Sequence, residues 1–235
     1  MSSGPTSGGL RELVPGQIWF VDEDASKFGF HFGARMTVMR LEDGTLALHS
    51  PVGVDHALAD AIARLGKVST ILCPTRFHTT YLKRSARTFR SARMYAPPNF
   101  ATSWLGVDFS GNLADERTWP WSGIVHQVAL KGSRLYDEVV FYHEPARTLV
   151  LADLLFNIPR NRGAFTSFVA ASLGVLGKPH LSRSFGLTLK DRSAMRDSLR
   201  RILAWDFDRI ILSHGDVVEH DGRSVFESAV SPWLG

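Results

Sequence analysis

The chain has 235 residues, 44% of them hydrophobic, and a formal charge of +4 from 27 Lys and Arg against 23 Asp and Glu. That is enough apolar side chain for one substantial core without disulfide or metal staples. Cys73 is the only cysteine, which excludes a disulfide framework and a cysteine-rich zinc site. So small a basic excess implies no nucleic-acid partner. A reducing, cytoplasmic compartment is the expectation, with Cys73 as a packed core thiol.

The opening MSSGPTSGG lacks the basic start and apolar stretch of a secretory signal. Residues 1–11 are therefore expected to be a flexible tail, and residues 12–235 one domain. Residues 17–21 and 35–40 have the alternation of strands, and Glu42-Asp43-Gly44 supplies a turn into residues 45–49. Asp55 is placed to cap a helix through Leu58, Ile62 and Leu65, with Gly66 as its stop. A strand at 68–73, a helix around 81–90 and a short strand at 93–96 follow. Residues 97–123, rich in Pro, Gly, Asn and Trp, form a loop.

Residues 125–130, 138–142 and 148–152 predict three more strands, the last two joined across His143-Glu144-Pro145-Ala146-Arg147. The apolar stretch at 164–176 is about thirteen residues long, short of the ~20 that span a bilayer, so no membrane association is expected. Its Phe165, Phe168, Val169, Leu173 and Leu176 suit a core helix, or a lid or dimer face. Asp191 caps an amphipathic helix containing Met195, Leu199 and Ile202, ahead of a strand at 209–212 and a last helix at 224–230. Hairpins mixed with α/β alternation imply an α/β (α+β) fold, two sheets sandwiched between helices.

Three of these strands deliver a metal-competent or acid/base side chain just past their carboxyl ends: VSTILCPTRFH ends at His78, TLVLAD at Asp153, and RIILSHGD contains His214. No GxSxG elbow and no GxGxxG or GxxxxGK[ST] phosphate loop occurs, so neither serine hydrolysis nor nucleotide chemistry gains support.

The order of these elements resembles the metallo-β-lactamase superfamily, whose THxHxDH motif stands here as Thr75-Arg76-Phe77-His78-Thr79-Thr80-Tyr81. Thr75 and His78 match; Arg76, Thr80 and Tyr81 replace His, Asp and His. The superfamily's PGHTPGS-like turn becomes residues 130–138, without a histidine and with Asp137 and Glu138 as the nearest oxygen donors. Leu151-Ala152-Asp153-Leu154-Leu155-Phe156 and Ser213-His214-Gly215-Asp216 match the remaining two elements. The whole layout is similar to the DUF4336 branch, over most of residues 12–232. The resemblance implies a four-layer αββα sandwich with a degenerate metal site.

Two readings of the site stay open. In the first, His78, Asp153 and His214 hold one Zn²⁺, or Fe²⁺ or Mn²⁺, as a mononuclear hydrolase acting on an ester, amide or phosphoester. Arg76 there stabilises developing negative charge. In the second the pocket is metal-free and non-catalytic: Arg76 pairs with Asp153 and recruits a small anionic ligand. An arginine opposes a metal, because its guanidinium stays protonated. The cations Lys83, Arg84, Arg87, Arg90 and Arg93 form either a solvated helix face or a rim attracting an anionic substrate. His49 and Ser50 either orient a pocket histidine or cap the turn at Pro51. Tyr81 either donates a proton into the pocket or packs, and Asp216 either joins the site or caps. His31, His56, His126, His180 and His220 are expected to be surface or structural. The residues shaping the pocket are expected from 97–123 and from the segment after Phe156.

Overall fold

Thirteen strands, six α-helices and a short 3₁₀ helix (Ser231–Trp233) occur among the described residues of a computed structural model, which cover 8–98, 106–115, 117–133 and 137–235. In chain order they are β1 (Arg11–Val14), β2 (Ile18–Glu23), β3 (Ser26–Lys27), β4 (Phe30–His31), β5 (Ala34–Arg40), β6 (Leu46–His49), α1 (His56–Leu65), β7 (Val68–Leu72), α2 (Leu82–Thr88), β8 (Arg93–Ala96) and β9 (Gly111–Asn112). The second half comprises β10 (Val125–Ala129), β11 (Val139–His143), β12 (Thr148–Leu151), α3 (Ala164–Leu173), α4 (Arg183–Thr188), α5 (Arg192–Leu203), β13 (Arg209–Leu212) and α6 (Gly222–Val230). One sheet has the order β1-β2-β5-β6-β7-β8-β9, the other β10-β11-β12-β13.

Three apolar clusters define four layers. Trp19, Val38, Leu48 and Ile71 pack the outer face of the first sheet against Leu58 and Ile62 of α1 and Leu82 of α2. Phe20, Met39, Leu72, Phe141, Val150 and Ile211 meet between the sheets. Val140, Leu149, Leu151 and Ile210 pack the outer face of the second sheet against Met195, Leu199 and Ile202 of α5 and Phe226 of α6. The architecture is the αββα sandwich expected. Period-2 alternation sends one set of each strand's side chains into the seam and the other under helices, so the central strands are buried on both faces.

The helix ends follow their signals. Asp55 accepts the Leu58 backbone N–H at 2.8 Å and Asp191 that of Ala194 at 3.0 Å, each satisfying a donor the first helical turn leaves unpaired. Gly66 ends α1, its N–H returning to the Ile62 carbonyl. Four short elements carry too few residues for a periodic signal: β1, β9, α4 and the β3–β4 hairpin. β1 starts at Arg11, inside the stretch read as a tail, and the Gly8 N–H already bonds the Asp22 carbonyl at 2.7 Å.

Residues 99–105 and 116 of the predicted loop lie outside the described residues. Of its described part, Trp119 and Trp121 stack at 5.0 Å and both meet Tyr95 edge-on, filling the seam, while Leu113, Asp115, Arg117 and Trp119 line a separate surface cavity of about 600 Å³ away from the strand ends. No helix among the described residues is long and apolar enough to cross a membrane.

Candidate metal centre

Parallel pairing sets the site. β12 runs beside β13 in the register Leu151↔Leu212, so Asp153 and His214, each two residues beyond, emerge side by side. β6 and β7 pair in parallel across the seam with His49 opposite Leu72. The turn after β7 then carries Thr75 and His78 to the same edge, held by Cys73, whose buried thiol donates to the carbonyls of Thr75 at 3.2 Å and His78 at 3.5 Å. Burial pushes that thiol's pKa up, and it serves as packing, as the sequence implied.

The three predicted residues meet. His214 Nε2 lies 3.1 Å and His78 Nε2 3.3 Å from Asp153 Oδ1. Each offers a ligand atom within 4.8 Å of the others; among the described residues they are the one such group of three. Thr75 donates its hydroxyl to Asp153 Oδ2 at 2.8 Å. Burial raises the Asp153 carboxyl, but the charges and hydrogen bonds of His78 and His214 outweigh it and hold the group well below the usual carboxylate range.

His214 Nδ1 faces the Gly33 carbonyl at 2.7 Å, and a carbonyl only accepts, so Nδ1 carries the proton. Nε2 is the ring nitrogen left to face Asp153 Oδ1, an atom that only accepts. With Nδ1 on that carbonyl, Nε2 meets the carboxylate either as a second N–H donor of an imidazolium or as a lone pair beside a bound cation. His78 Nδ1 is bonded to the Ser50 hydroxyl, which can give or take a proton, leaving either tautomer open. The donor set of two imidazoles and a carboxylate suits zinc, and separations of 3.1 and 3.3 Å compare with about 3.3 Å between neighbouring donors of a tetrahedral ion with bonds near 2.0 Å. The residues present fit one such ion.

Surrounding residues hold the corner rigid. Phe156 stacks on His214 at 4.9 Å and Phe32 meets it edge-on at 5.2 Å, shielding it from water. Gly215 sits at φ +97°, and a Cβ there would come within 1.9 Å of the Asn157 carbonyl; the His-Gly pair is therefore a packing requirement as much as a motif. Arg35, buried, donates to the carbonyls of Leu212 at 2.8 Å and Gly215 at 2.7 Å, pinning the end of β13 to the other sheet. Burial, with help from the charge of Arg11, lowers its pKa to about 10.

Glu138 lies beneath Asp153, wholly buried, and accepts the backbone N–H of Ala152 at 2.7 Å and of Asp153 at 2.8 Å. It positions the ligand loop without joining the group of ligand atoms. Burial first, and the Asp153 charge second, raise its pKa to about 8. The sequence singled it out as an oxygen donor near the missing histidine; nothing local marked it as a clamp on a loop 14 residues ahead.

Several expectations are corrected. Arg76 does not pair with Asp153. Its Nε and Nη2 donate to Asp137 Oδ2 at 2.9 and 2.7 Å at a half-exposed surface, where an ion pair costs little desolvation, and it does not line the cavity. The charge-stabilising and anion-recruiting roles given to it lose their geometry. Ser50, not His49, orients His78. His49 is buried against Phe141 with neither ring nitrogen bonded, and burial and the His78 charge lower its pKa to about 3. Tyr81 lines the cavity, yet its hydroxyl is committed to Glu23 Oε1; burial and that bond raise its pKa to about 12.

Asp216 lies outside both the ligand group and the cavity wall, its N–H bonded to the Asn157 carbonyl at 2.9 Å. The cavity, about 840 Å³, is lined from the β3–β4 hairpin, the Ser50 and His78 turns, and residues 156, 173, 175 and 182. The segment after Phe156 shapes it as expected. The described part of 97–123 and the cationic run from Lys83 to Arg93 do not.

A two-sheet αββα sandwich with a His–Asp–His corner at the strand ends is the metallo-β-lactamase fold. It superposes on the metallo-β-lactamase from Pontibacter korlensis with a TM-score of 0.62 and 12% identity, covering 96% of this chain and 98% of that one. For DIM-1 metallo-β-lactamase the values are 0.65, 14%, 97% and 99%. For FIM-1 from Pseudomonas aeruginosa, in its mono-zinc form, they are 0.63, 15%, 97% and 94%. Identities this low establish the shared fold. The chain belongs to the DUF4336 family, a domain of unknown function, which matches residues 15–183. No curated protein sequence matches it.

Proposed function

We propose that the protein is a mononuclear metal-dependent hydrolase of an ester, amide or phosphoester, its metal held by His78 Nε2, Asp153 Oδ1 and His214 Nε2. The observation that carries this reading is the convergence of one ligand atom each from His78, Asp153 and His214 within 4.8 Å, with His214 Nδ1 held on the Gly33 carbonyl so that Nε2 faces Asp153. A bound divalent ion in such a site lowers the pKa of water to about 7 and polarises a carbonyl or phosphoryl oxygen. The chain's own groups do the rest. Thr75 and Glu138 fix Asp153, Ser50 and the Gly33 carbonyl orient the two imidazoles, and Phe32 and Phe156 exclude bulk water. Hydrolysis breaks the bond from the acyl carbon or phosphorus to the leaving oxygen or nitrogen; the water oxygen takes its place and a water proton goes to the leaving group.

Elemental analysis tests the reading on protein purified without added metal and again after reconstitution with Zn²⁺, Fe²⁺ or Mn²⁺. One ion per chain is expected, and its loss in a His78→Ala/His214→Ala variant that keeps its circular dichroism. Native protein that retains no stoichiometric metal after reconstitution sinks the hydrolase.

A further inference from the structure

Among the described residues five large hydrophobic side chains are exposed, and four of them lie on segments that line the cavity: the β3–β4 hairpin, the His78 turn and α3. Phe77 (52% exposed) lines the cavity beside His78. Phe28 (91%) tips the β3–β4 hairpin, whose Ser26, Lys27 and Phe30 form one wall. Phe165 (56%) lies against the hairpin, where a methyl on Gly29 would meet its Cε1 at 3.5 Å, and the His31 N–H bonds Thr166 Oγ1 at 3.2 Å. Phe168 (71%) stands three residues on, on the same face of α3. Isolated exposed hydrophobics are ordinary, but four on the segments bordering one cavity mark a surface suited to being covered.

The surface continues inward. Phe30, Phe32, Phe156, Leu173 and Val175 form the walls down to His78 and His214. The charged wall residues besides histidine are Glu23, Asp24 and Asp153 against one cation, Lys27. An apolar channel with an acidic wall disfavours an anion and suits an uncharged chain whose one polar group reaches the corner. Its volume, about 840 Å³, is that of a pocket for a drug-sized molecule, far more than a small ion needs.

We propose that the cavity and its phenylalanine rim bind a linear acyl chain, so that the substrate of the site is an uncharged acyl ester or amide whose carbonyl sits at the corner and whose tail runs out past Phe77 toward Phe28, Phe165 and Phe168. This rests on the hydrolase reading for its chemistry, though not for binding. The acyl carbon exchanges its bond to the alcohol or amine for one to the water oxygen, releasing a carboxylic acid and the protonated leaving group.

Linear methyl ketones of graded length carry the carbonyl and chain without a leaving group, and their binding to metal-free protein is read by calorimetry. The dissociation constant is expected to fall roughly fourfold per fully buried methylene until the channel is filled. Phe165→Ser/Phe168→Ser is expected to bind the short ketone as the native protein does and the long one about tenfold more weakly, with Phe77→Ser as a second probe from the opposite wall. Metal retention, measured separately on the same protein, keeps the two readings apart: chain binding without metal retains this proposal and removes the hydrolase. Presenting the long ketone free or within phosphatidylcholine vesicles tells a monomeric from a membrane source, and uptake from either supports the chain site. Affinity independent of chain length overturns it. So does a dimer abolished by the Phe165→Ser/Phe168→Ser change in a protein that binds no ketone, because a second copy then covers the rim.

Discussion

At the closed end of the cavity each side-chain polar atom of Asp153, His78 and His214 meets a protein partner, and the loops carrying them are pinned by Glu138, Ser50 and the Gly33 carbonyl. At the open end Phe28, Phe165 and Phe168 present most of their surface to water. The two ends spend free energy differently. The corner takes up buried hydrogen bonds whose loss costs stability as well as function, whereas the mouth leaves apolar area unburied and so gives up stability that a ligand can recover. Substitutions at the corner are therefore expected to move unfolding and binding together, and those at the mouth to move binding alone.

The largest departure is expected at Glu138. Glu138→Ala leaves the N–H groups of Ala152 and Asp153 buried without acceptors, a loss of roughly 2–6 kcal/mol in urea unfolding at about 1–3 kcal/mol per orphaned donor. Glu138→Gln keeps one acceptor oxygen and is expected to cost about half as much. Hydrogen exchange at the Ala152 and Asp153 amides should accelerate in both. Unchanged exchange there would mean the loop is held by its strand pairing, and the corner would not be the rigid end.

Much of this contrast was written in the chain and part of it was not. The αββα layering follows from strand alternation and from helix caps at Asp55 and Asp191, local signals that tertiary structure obeys. His78, Asp153 and His214 were legible because each lies just past a buried strand, and parallel register brings such positions together. Arg76 misled. Its position in the motif said that it neighbours the corner, but the direction of a long flexible side chain is decided by where a carboxylate waits, and Asp137 offers one at the surface. The mouth was hidden for a related reason: Phe28, Phe77, Phe165 and Phe168 come from three separate segments, and an apolar side chain carries no sequence mark telling whether it turns inward or out. Glu138, Arg35 and Gly33 act through contacts with backbone groups far along the chain, which residue identity does not encode.

A smaller effect separates two buried imidazoles, His49 behind the corner and His143 at the opposite end of the second sheet. His143 donates from Nε2 to the Arg40 carbonyl at 2.8 Å and accepts the Ala146 N–H on Nδ1, while His49 has no partner for either nitrogen. Burial lowers both pKa values, that of His49 to about 3. An unfolded histidine near 6.5 binds a proton that the folded His49 refuses, so this stability is fully present above pH 6.5 and is lost as pH falls from there toward 3. The slope approaches about 1.4 kcal/mol per pH unit, or about 2 kcal/mol between pH 6.5 and 5. His49→Leu should flatten that part of the unfolding-versus-pH curve while leaving the His143 contribution, which has the same sign. An unaltered slope in His49→Leu would show that the ring is already charged or hydrated, and that the region behind the corner is wetter than its contacts imply.

The smallest expected change is at the hairpin tip. Phe28 sits at φ +52°, a left-handed conformation that asparagine tolerates better than an aromatic residue, and its ring touches little besides the Lys27 ammonium at 5.8 Å. Phe28→Asn should therefore shift unfolding by less than about 0.5 kcal/mol, in either direction. Affinity for a long uncharged chain should fall even so, because the tip loses the apolar area that chain would cover. A stability loss above about 1 kcal/mol would place Phe28 among packed residues and erase the distinction between mouth and corner. An unchanged stability with weakened chain binding would show that this end of the cavity is held open for a ligand.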